Sequence, residues 1–229
     1  MNKLMLAGLS GSGKTHLTLA LMEWFKLKGK EVAAFKPFAV NALGHNANEQ
    51  ASDAELYAAQ MTGEPANTLI NPYVAQENYP IELAFRRDGI KVRPKLLAER
   101  QTLLLDHYAK LMVELPGGLA ESVDEKTKVI DWAIAQVTPL FYLIRPSKER
   151  FNETLLEMDL LRRSQVEFYF AFNNANHLKD GDWLFYQWEK LEAVADCQAE
   201  GMLPFEPDPK VLALKLEEYL PKLTGLLNG

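Results

Sequence analysis

The chain is predicted to fold as one α/β domain spanning residues 1–229, with a mostly parallel sheet flanked by helices on both faces. Short β-like runs at 4–7, 31–36, 111–114, 140–144 and 166–172 alternate with helical stretches. Strands separated by helices form right-handed crossovers and therefore a parallel sheet. A length of 229 residues with 48% hydrophobic content suits one well-buried core. Ligands bind such sheets beyond the carboxyl ends of the strands, so function is expected just after each strand.

Composition excludes several classes of partner. A formal net charge of −6 argues against a general nucleic-acid or membrane-surface binder. The single cysteine, Cys197, cannot form an intramolecular disulfide. The first apolar run is too short for a signal peptide, and no stretch approaches the roughly 18 apolar residues of a membrane span. A cytoplasmic protein is expected.

The first strand leads into residues 8–15, which read Gly-Leu-Ser-Gly-Ser-Gly-Lys-Thr and match the pattern Gly-x-x-x-x-Gly-Lys-Thr. A helical pattern follows at 16–28, so the motif lies in a strand, loop and helix context. Its glycines let successive N–H groups point inward and form an anion nest at the positive end of the helix. The alternative is a Gly/Ser-rich turn that matches by chance. The context favours a P-loop that binds ATP or another nucleoside triphosphate through its loop residues: Gly8, Ser10, Gly11, Ser12, Gly13, Lys14 and Thr15.

Two side chains of this loop have predicted roles of their own. Lys14 is expected to reach the β- and γ-phosphates, and the Thr15 hydroxyl to bind Mg²⁺. The second strand ends at Lys36, which is followed by Pro37. A lysine there faces the phosphate site, although an ordinary solvated lysine is an equally good interpretation. The segment 38–50 lacks an apolar period and is predicted to be a loop near the site.

Two carboxylates are candidate metal ligands. Ser52 and Glu55 form a predicted capping box, and Asp53 suits the first turn of that helix on dipole grounds alone. Glu114 ends a strand before a glycine-rich turn. Asp53, Glu114 and the Thr15 hydroxyl together would nevertheless suit Mg²⁺, which prefers oxygen ligands.

The order of these elements resembles the dethiobiotin synthetases and related ATP-dependent P-loop ligases. The resemblance spans most of the chain and rests on a series of short matches in order: Gly13-Lys14-Thr15, Lys36-Pro37, Ser52-Asp53-Ala54, Asn71-Pro72-Tyr73, Glu114-x-x-Gly117-Gly118, Asp131-Trp132, Pro139, Asn152, Asn173 and Pro204.

The resemblance implies specific roles for several residues. Lys14 and Lys36 are catalytic, acting on the transferring phosphate and on a carbamate made from CO₂ and a substrate amine. Mg²⁺ is held by Thr15, Asp53 and Glu114. Asn173 reads the adenine edge, and Pro204 lies in the nucleotide site. The implied reaction converts 7,8-diaminononanoate, CO₂ and ATP into a cyclic urea, ADP and phosphate, and the implied assembly is a homodimer.

The chain departs from the family at informative positions. Four residues separate the glycines of its loop, where the family has five. Val40 and Asn41 stand where the family places a small hydroxyl residue and a glycine close to the diamine. Residues 145–149 replace a glycine-containing loop that helps to hold the substrate carboxylate across the dimer interface. Arg145, Lys148 or Arg150 could bind an anion there, although a solvated charge cluster is as good an interpretation.

Three hypotheses stay open: a dethiobiotin-type ligase, a related P-loop enzyme that activates a different acid or amine, and a nucleotide-dependent binding or regulatory protein.

The aromatic cluster 183–188 is interpreted as packing or an interface rather than base stacking, because the chain is acidic. The histidines share no metal-ligand spacing. Residues 209–227 repeat leucine at helical spacing and are predicted to form one helix that closes over the sheet.

Overall fold

A computed structural model describes residues 1–41, 51–174 and 179–228. Eight strands lie in these ranges: β1 (Lys3–Ala7), β2 (Val32–Phe35), β3 (Phe38–Ala39), β4 (Tyr73–Val74), β5 (Lys110–Glu114), β6 (Leu140–Ile144), β7 (Phe168–Asn173) and β8 (Met202–Leu203). Six of them form one parallel sheet in the order β2-β5-β1-β6-β7-β8, and β3 pairs with β4 in a small parallel sheet.

Helices connect the strands and flank the sheet. Those in the described ranges are α1 (Lys14–Leu27), α2 (Asp53–Gln60), α3 (Asn67–Ile70), α4 (Ile81–Arg87), α5 (Pro94–His107), α6 (Val129–Ala135), α7 (Phe151–Ser164), α8 (Gly181–Ala195), α9 (Pro209–Ala213), α10 (Leu216–Tyr219) and α11 (Pro221–Asn228). The predicted α/β class is confirmed. None of the helices in the described part of the chain is long and apolar enough to cross a membrane.

Three strands of the main sheet are buried along their whole length, which explains why their sequences are continuous apolar runs rather than alternating patterns. All residues of β2, β5 and β6 are buried. Parallel strands covered on both faces have this composition. All five predicted strands are therefore present, with ends that differ from the prediction by no more than two residues.

Helix α1 covers the sheet next to the first strand. Its buried face includes Leu17, Leu21, Trp24 and Phe25, as the helical spacing predicted. The helix packs against α2 and against α9 from the carboxyl-terminal region. The helix that carries the end of the phosphate loop is therefore fixed from both sides.

The prediction of one helix over 209–227 is wrong. The segment forms the three short helices α9, α10 and α11. Pro221 begins the last of them, and Leu220 before it has φ −132° and ψ 61°, outside the helical region. A residue that precedes proline is disfavoured in the helical conformation, which accounts for the break. The leucines at 212, 216, 220, 223 and 227 are nonetheless buried, as predicted.

Short strands escaped the sequence analysis because two residues carry no periodic signal. Strand β8 extends the main sheet beside β7. Part of the predicted loop 38–50 is also wrong, since Phe38 and Ala39 pair with Tyr73 and Val74. Residues 42–50 of that predicted loop lie outside the described residues.

Candidate active site

Three neighbouring strands bring the predicted residues to one edge of the sheet. Strand β1 lies between β5 and β6, and β2 pairs with β5 on its far side. The strands are parallel, so their carboxyl ends meet at the same edge. Loop 8–15 follows β1, Lys36 follows β2, and Glu114 ends β5.

The loop curls tightly against β7. Gly13 has φ +96°, and a Cβ atom at this position would lie 2.3 Å from Nδ2 of Asn173. Only glycine fits such a conformation and such a close approach. Asn173 Nδ2 donates a hydrogen bond of 2.8 Å to the backbone oxygen of Ser12. Asn173 therefore holds the loop in place.

Lys14 is folded back onto its own loop. Its Nζ donates to the backbone oxygens of Gly8 at 2.8 Å and Leu9 at 3.1 Å, and the residue is buried. Burial is the largest effect on the pKa of Lys14 and lowers it to about 8, against the opposing attraction of Glu114. An anion bound in the loop would provide a negative charge that stabilises the protonated form of Lys14.

A small cavity lies beside the loop and next to Asn173. Its volume is about 140 Å³, and its lining includes Gly13, His16, Asn173 and Pro204. Asn173 and Pro204, which were predicted to contact the nucleotide, thus share one cavity with the loop. Their contact with a base stays a prediction.

Lys36 lies at the centre of a charged cluster. Its Nζ forms ion pairs with Asp53 Oδ2 and with Glu114 Oε1, the second at 2.8 Å. The Lys36 side chain is 14% exposed and that of Glu114 only 2%. Burial alone would lower the pKa of Lys36, but the two carboxylates outweigh it and raise the pKa well above the ordinary value. The lysine is therefore a permanent cation here, not the solvated residue that the sequence left open.

Glu114 is held by three donors. The Thr15 hydroxyl donates to Oε1 at 3.1 Å, Lys36 donates to the same oxygen, and the Tyr57 hydroxyl donates to Oε2. Burial, and then the charge of Glu114, raise the pKa of Tyr57 well above its ordinary value, so the phenol stays protonated. Tyr57 was not a predicted site residue. Its spacing of four residues from Asp53 on one helix was the signal that could have identified it.

The three predicted metal ligands converge on one positive charge. Asp53 and Glu114 pair with the Lys36 ammonium, and the Thr15 hydroxyl donates to the Glu114 oxygen that Lys36 also binds. Oxygen donors of this kind fit Mg²⁺, and the cluster already accommodates a cation. The described residues contain no group of three or more His, Cys, Asp or Glu side chains arranged to hold a metal, because this set has only two carboxylates.

The backbone of Lys36 is fixed by the segment before β4. Its N–H donates to the Ile70 oxygen at 2.9 Å, and Asn71 Nδ2 donates to its carbonyl oxygen. The Asn71-Pro72-Tyr73 match therefore has a structural role.

The capping box that starts α2 is also confirmed: the Glu55 N–H donates to the Ser52 hydroxyl at 3.3 Å, and the Ser52 N–H donates to the Glu55 carboxylate at 2.6 Å. Asp53 is thereby set in the first turn of α2.

A larger cavity of about 490 Å³ opens beside Lys36. Neutral polar side chains contribute much of its lining, including Asn41, Asn67, Thr68 and Asn78, and Ser10 borders it from the loop. The turn after β5 closes against the same part of the loop. A Cβ atom on Gly117 would lie 2.4 Å from the Ser10 nitrogen, so this turn requires glycine.

A protein-family model described as an AAA domain matches residues 2–208. The ATP-dependent dethiobiotin synthetase BioD of Bacillus cereus (strain B4264) is 32% identical over 194 residues, which cover 84% of this chain and 78% of that protein. The chain belongs to the dethiobiotin synthetase family. A second relative, the ATP-dependent dethiobiotin synthetase BioD 2 of Haemophilus ducreyi (strain 35000HP), is 24% identical over 126 residues, or 55% of this chain and 60% of that protein.

Solved structures with the same fold are more distant in sequence. The MinC:MinD cell division protein complex of Aquifex aeolicus contains a chain with a TM-score of 0.53 and 14% identity, covering 95% of this chain and 89% of that one. A ParA family ATPase from Chlorobium tepidum also gives a TM-score of 0.53, at 11% identity, covering 100% of this chain and 94% of that one. These likenesses establish the P-loop type of fold that the loop motif predicted.

Of the three cations that the sequence offered as anion ligands, Lys148 and Arg150 pair with carboxylates, whereas Arg145 Nη1 donates to the Gly11 oxygen at 3.4 Å. Lys148 forms an ion pair of 2.8 Å with Asp180, and Arg150 binds Glu153 through Nε at 2.8 Å. Arg150 Nη1 also donates to the Ser10 oxygen at 2.7 Å. Segment 145–150 therefore braces the phosphate loop from the side opposite Lys36.

The aromatic cluster of α8 packs as interpreted for Trp183, Tyr186 and Trp188, whereas Phe185 is 66% exposed.

Proposed function

We propose that this protein is an ATP- and Mg²⁺-dependent cyclo-ligase that forms a cyclic urea from 7,8-diaminononanoate and CO₂. The reaction passes through a carbamate and a carbamic-phosphoric anhydride. The enzyme works as a homodimer, as the resemblance to its family implies. Membership of the dethiobiotin synthetase family supports the class of reaction.

The observation that carries the proposal is the position of Lys36. The Lys36 ammonium pairs with Asp53 and Glu114 and shares Glu114 Oε1 with the Thr15 hydroxyl. Lys36 also lines the larger cavity. A protein that only bound a nucleotide would not need a second lysine there. A phosphoryl-transfer enzyme uses such a cation to neutralise charge that develops on the transferring group.

The carboxylates prepare this site for a divalent cation. Thr15, Asp53 and Glu114 are the residues that would hold Mg²⁺, which would supply positive charge to the β- and γ-phosphates. Glu114 Oε1 accepts from both Thr15 and Lys36. A divalent cation held at that oxygen would add positive charge next to that of Lys36.

The lysines then act on the reacting oxygens. A carbamate oxygen is a weak nucleophile toward the γ-phosphorus, and both groups are negatively charged. Lys14 on the phosphate side and Lys36 on the cavity side reduce this repulsion. The carbamate oxygen bonds to phosphorus as ADP leaves, and the second amine then attacks the carbamoyl carbon and expels phosphate. Holding the two amines close together contributes up to roughly 7 to 11 kcal/mol in well-oriented systems.

The cavity favours an amine-bearing substrate. Its described lining carries two carboxylates, Asp53 and Glu55, and Lys36 as the described cation among mostly neutral groups. Asn41 has φ +72°, the left-handed conformation that glycine favours and asparagine tolerates. The backbone shape that the family achieves with glycine is thus kept, while an amide side chain is added to the cavity. This observation favours, as a second candidate, a related ligase acting on a different amine.

Phosphate release from ATP tests the proposal. The wild-type protein is assayed with 7,8-diaminononanoate, with and without bicarbonate, next to Lys36→Ala and a matched lysine variant, Lys95→Ala, whose side chain is 90% exposed. We expect bicarbonate-dependent release in wild type and Lys95→Ala, and its loss in Lys36→Ala. If the wild type binds ATP but the diamine does not stimulate release, the second candidate replaces the first.

A further inference from the structure

Tyr57 is a buried residue of α2 that touches the candidate site only through Glu114. Its side chain is 0% exposed, and its hydroxyl donates to Glu114 Oε2. A buried phenol needs a hydrogen-bonding partner, and a bond to a carboxylate is among the stronger ones in proteins. The contact joins α2 to the end of β5 inside the core.

The two oxygens of Glu114 have separate partners. Oε2 accepts from Tyr57, whereas Oε1 accepts from Thr15 and Lys36. The terminal torsion of a glutamate side chain is broad and roughly two-fold, so it does not by itself fix which way the carboxylate plane faces. Thr15 and Lys36 hold Oε1, and a donor on Oε2 adds the second fixed point that defines the carboxylate plane. Glu114 is 1% exposed, so water from bulk solvent does not provide that donor.

We propose that Tyr57 is a positioning residue: its hydroxyl orients the Glu114 carboxylate so that Oε1 faces the Thr15 hydroxyl and the cation position of the site. The inference rests on the proposed Mg²⁺ site and adds a residue to it. Helix α2 then serves the site twice, directly through Asp53 and indirectly through Tyr57 one turn later.

The test compares nucleotide binding with and without metal. A non-hydrolysable ATP analogue is titrated by calorimetry into wild type and Tyr57→Phe, in excess EDTA and in millimolar Mg²⁺. We expect the affinity in EDTA to stay within about twofold, because the partners of the Tyr57 hydroxyl, Glu114 and Thr18, lie outside loop 8–15. The gain in affinity on adding Mg²⁺ should fall by about tenfold or more, the usual effect of removing a partner that orients a metal ligand.

Tyr142→Phe is a matched control. The Tyr142 hydroxyl is also buried and donates to a buried glutamate, Glu157 Oε2, at 2.5 Å. Both variants lose one hydroxyl and keep the ring, so they should lower the melting temperature to a similar extent. Only Tyr57→Phe should change the Mg²⁺ dependence. Tyr57→Leu provides a second variant without the hydroxyl, and binding in EDTA reports whether each variant is folded.

Three outcomes would overturn the proposal. An unchanged Mg²⁺ gain in folded Tyr57→Phe, while Glu114→Gln reduces the gain, removes the positioning role and leaves the metal site standing. An equal loss in Tyr142→Phe makes the effect a general result of destabilisation. No Mg²⁺ gain in the wild type removes the metal site and the positioning role together. Support requires, in addition, that Tyr57→Phe has no further effect in a Glu114→Gln background.

Discussion

Two buried glutamates lie on opposite sides of the phosphate loop, and each accepts a hydrogen bond from a buried tyrosine. Glu114 pairs with Tyr57, and Glu157 of α7 pairs with Tyr142. They differ in their other partners. Glu157 accepts from the backbone N–H of Leu119 at 2.6 Å, whereas Glu114 accepts from Thr15 and Lys36.

The difference explains which carboxylate can do chemistry. Burial is the largest effect on the pKa of Glu157 and raises it, against the hydrogen bonds from Tyr142 and Leu119. Through these bonds the group ties α7 to β6 and to the turn after β5. Glu114 instead accepts hydrogen bonds from the Thr15 hydroxyl and from Lys36, which lines a cavity. Burial and a tyrosine partner are common to both, so a functional carboxylate is distinguished by the cation beside it.

The largest expected effect is the difference in phosphate release between substitutions of the two glutamates. Glu114→Gln should lower Mg²⁺-dependent phosphate release by at least about 100-fold, because it removes a charged oxygen from the cation position. Glu157→Gln should change release by less than about threefold, since an amide can replace a carboxyl group that is bonded to a backbone N–H and a hydroxyl. Steady-state release at saturating Mg²⁺ measures both, and equal losses would refute the distinction.

A second prediction concerns the lysine that makes Glu114 different. Lys36→Met keeps the length of the side chain but leaves Asp53 and Glu114 without their cation. Breaking a buried ion pair typically costs about 3–5 kcal/mol, and partial exposure of Asp53 reduces the expected loss of unfolding free energy to about 2–3 kcal/mol.

Urea denaturation in EDTA and in Mg²⁺ tests this expectation. Because the cluster accommodates a cation, Mg²⁺ should restore part of the stability of Lys36→Met and have less effect on the wild type. Lys95→Met serves as the control for an exposed lysine. A stability loss that Mg²⁺ does not reduce would contradict the view that these oxygens form a cation site.

The sequence predicted structural elements best where a short local motif carried the signal. The glycine-rich loop, the capping box at Ser52 and the strand ends at Lys36 and Glu114 were all predicted and found together. Parallel topology explains this success, because it places consecutive strand ends at one edge. The Mg²⁺ ligation of Thr15, Asp53 and Glu114 and the base contacts of Asn173 and Pro204 stay predictions.

Other features depend on pairs that are distant in the chain. The contact of Tyr57 with Glu114 joins residues 57 positions apart, and that of Tyr142 with Glu157 depends on how α7 packs on β6. Local patterns do not encode these pairings, and the four-residue spacing of Tyr57 from Asp53 indicated only that the two residues share a helix face. The break at Pro221 was readable from proline chemistry, but the regular leucine spacing masked it. Strand β8 forms only because β7 offers an edge beside it.

A third prediction uses Lys14, whose charge is attracted by both glutamates. Burial lowers its pKa to about 8, so at pH 8.5 the ligand-free protein holds Lys14 largely neutral. Phosphates favour the charged form, and nucleotide binding at this pH should therefore take up about half a proton or more. Calorimetric titration in buffers of different ionisation enthalpy gives the number. The uptake should be smaller at pH 7.5, and zero uptake at pH 8.5 would contradict the assignment.

The smallest expected effect comes from a third partly buried glutamate, Glu200, which has neither a tyrosine nor a cation in close contact. Its two carboxylate oxygens lack a hydrogen bond of ordinary geometry, although the Leu223 amide and Lys222 lie nearby. Burial raises its pKa to about 7. The folded state thus binds more protons than the unfolded state between pH 4.5 and 7, so this group lowers stability as pH rises through that range.

Glu200→Gln should therefore stabilise the protein at pH 8 by about 1–2 kcal/mol, after allowance for partial exposure, and have little effect at pH 4.5. Urea denaturation at the two pH values measures the difference. Glu125→Gln, at an exposed loop position, is a suitable control. An equal effect of Glu200→Gln at both pH values would show that the carboxylate is charged throughout.

The central claim is that the site uses ATP to build a carbonyl group from CO₂ into a ring. Its most direct test follows the carbon atom: wild-type protein is incubated with ATP, Mg²⁺, 7,8-diaminononanoate and ¹³C-labelled bicarbonate, and the organic product is analysed by mass spectrometry and ¹³C NMR. We expect a cyclic urea whose carbonyl carries the label. It should form in an amount equal to the phosphate released and be absent with Lys36→Ala. Phosphate release without labelled carbon in the organic product would contradict it.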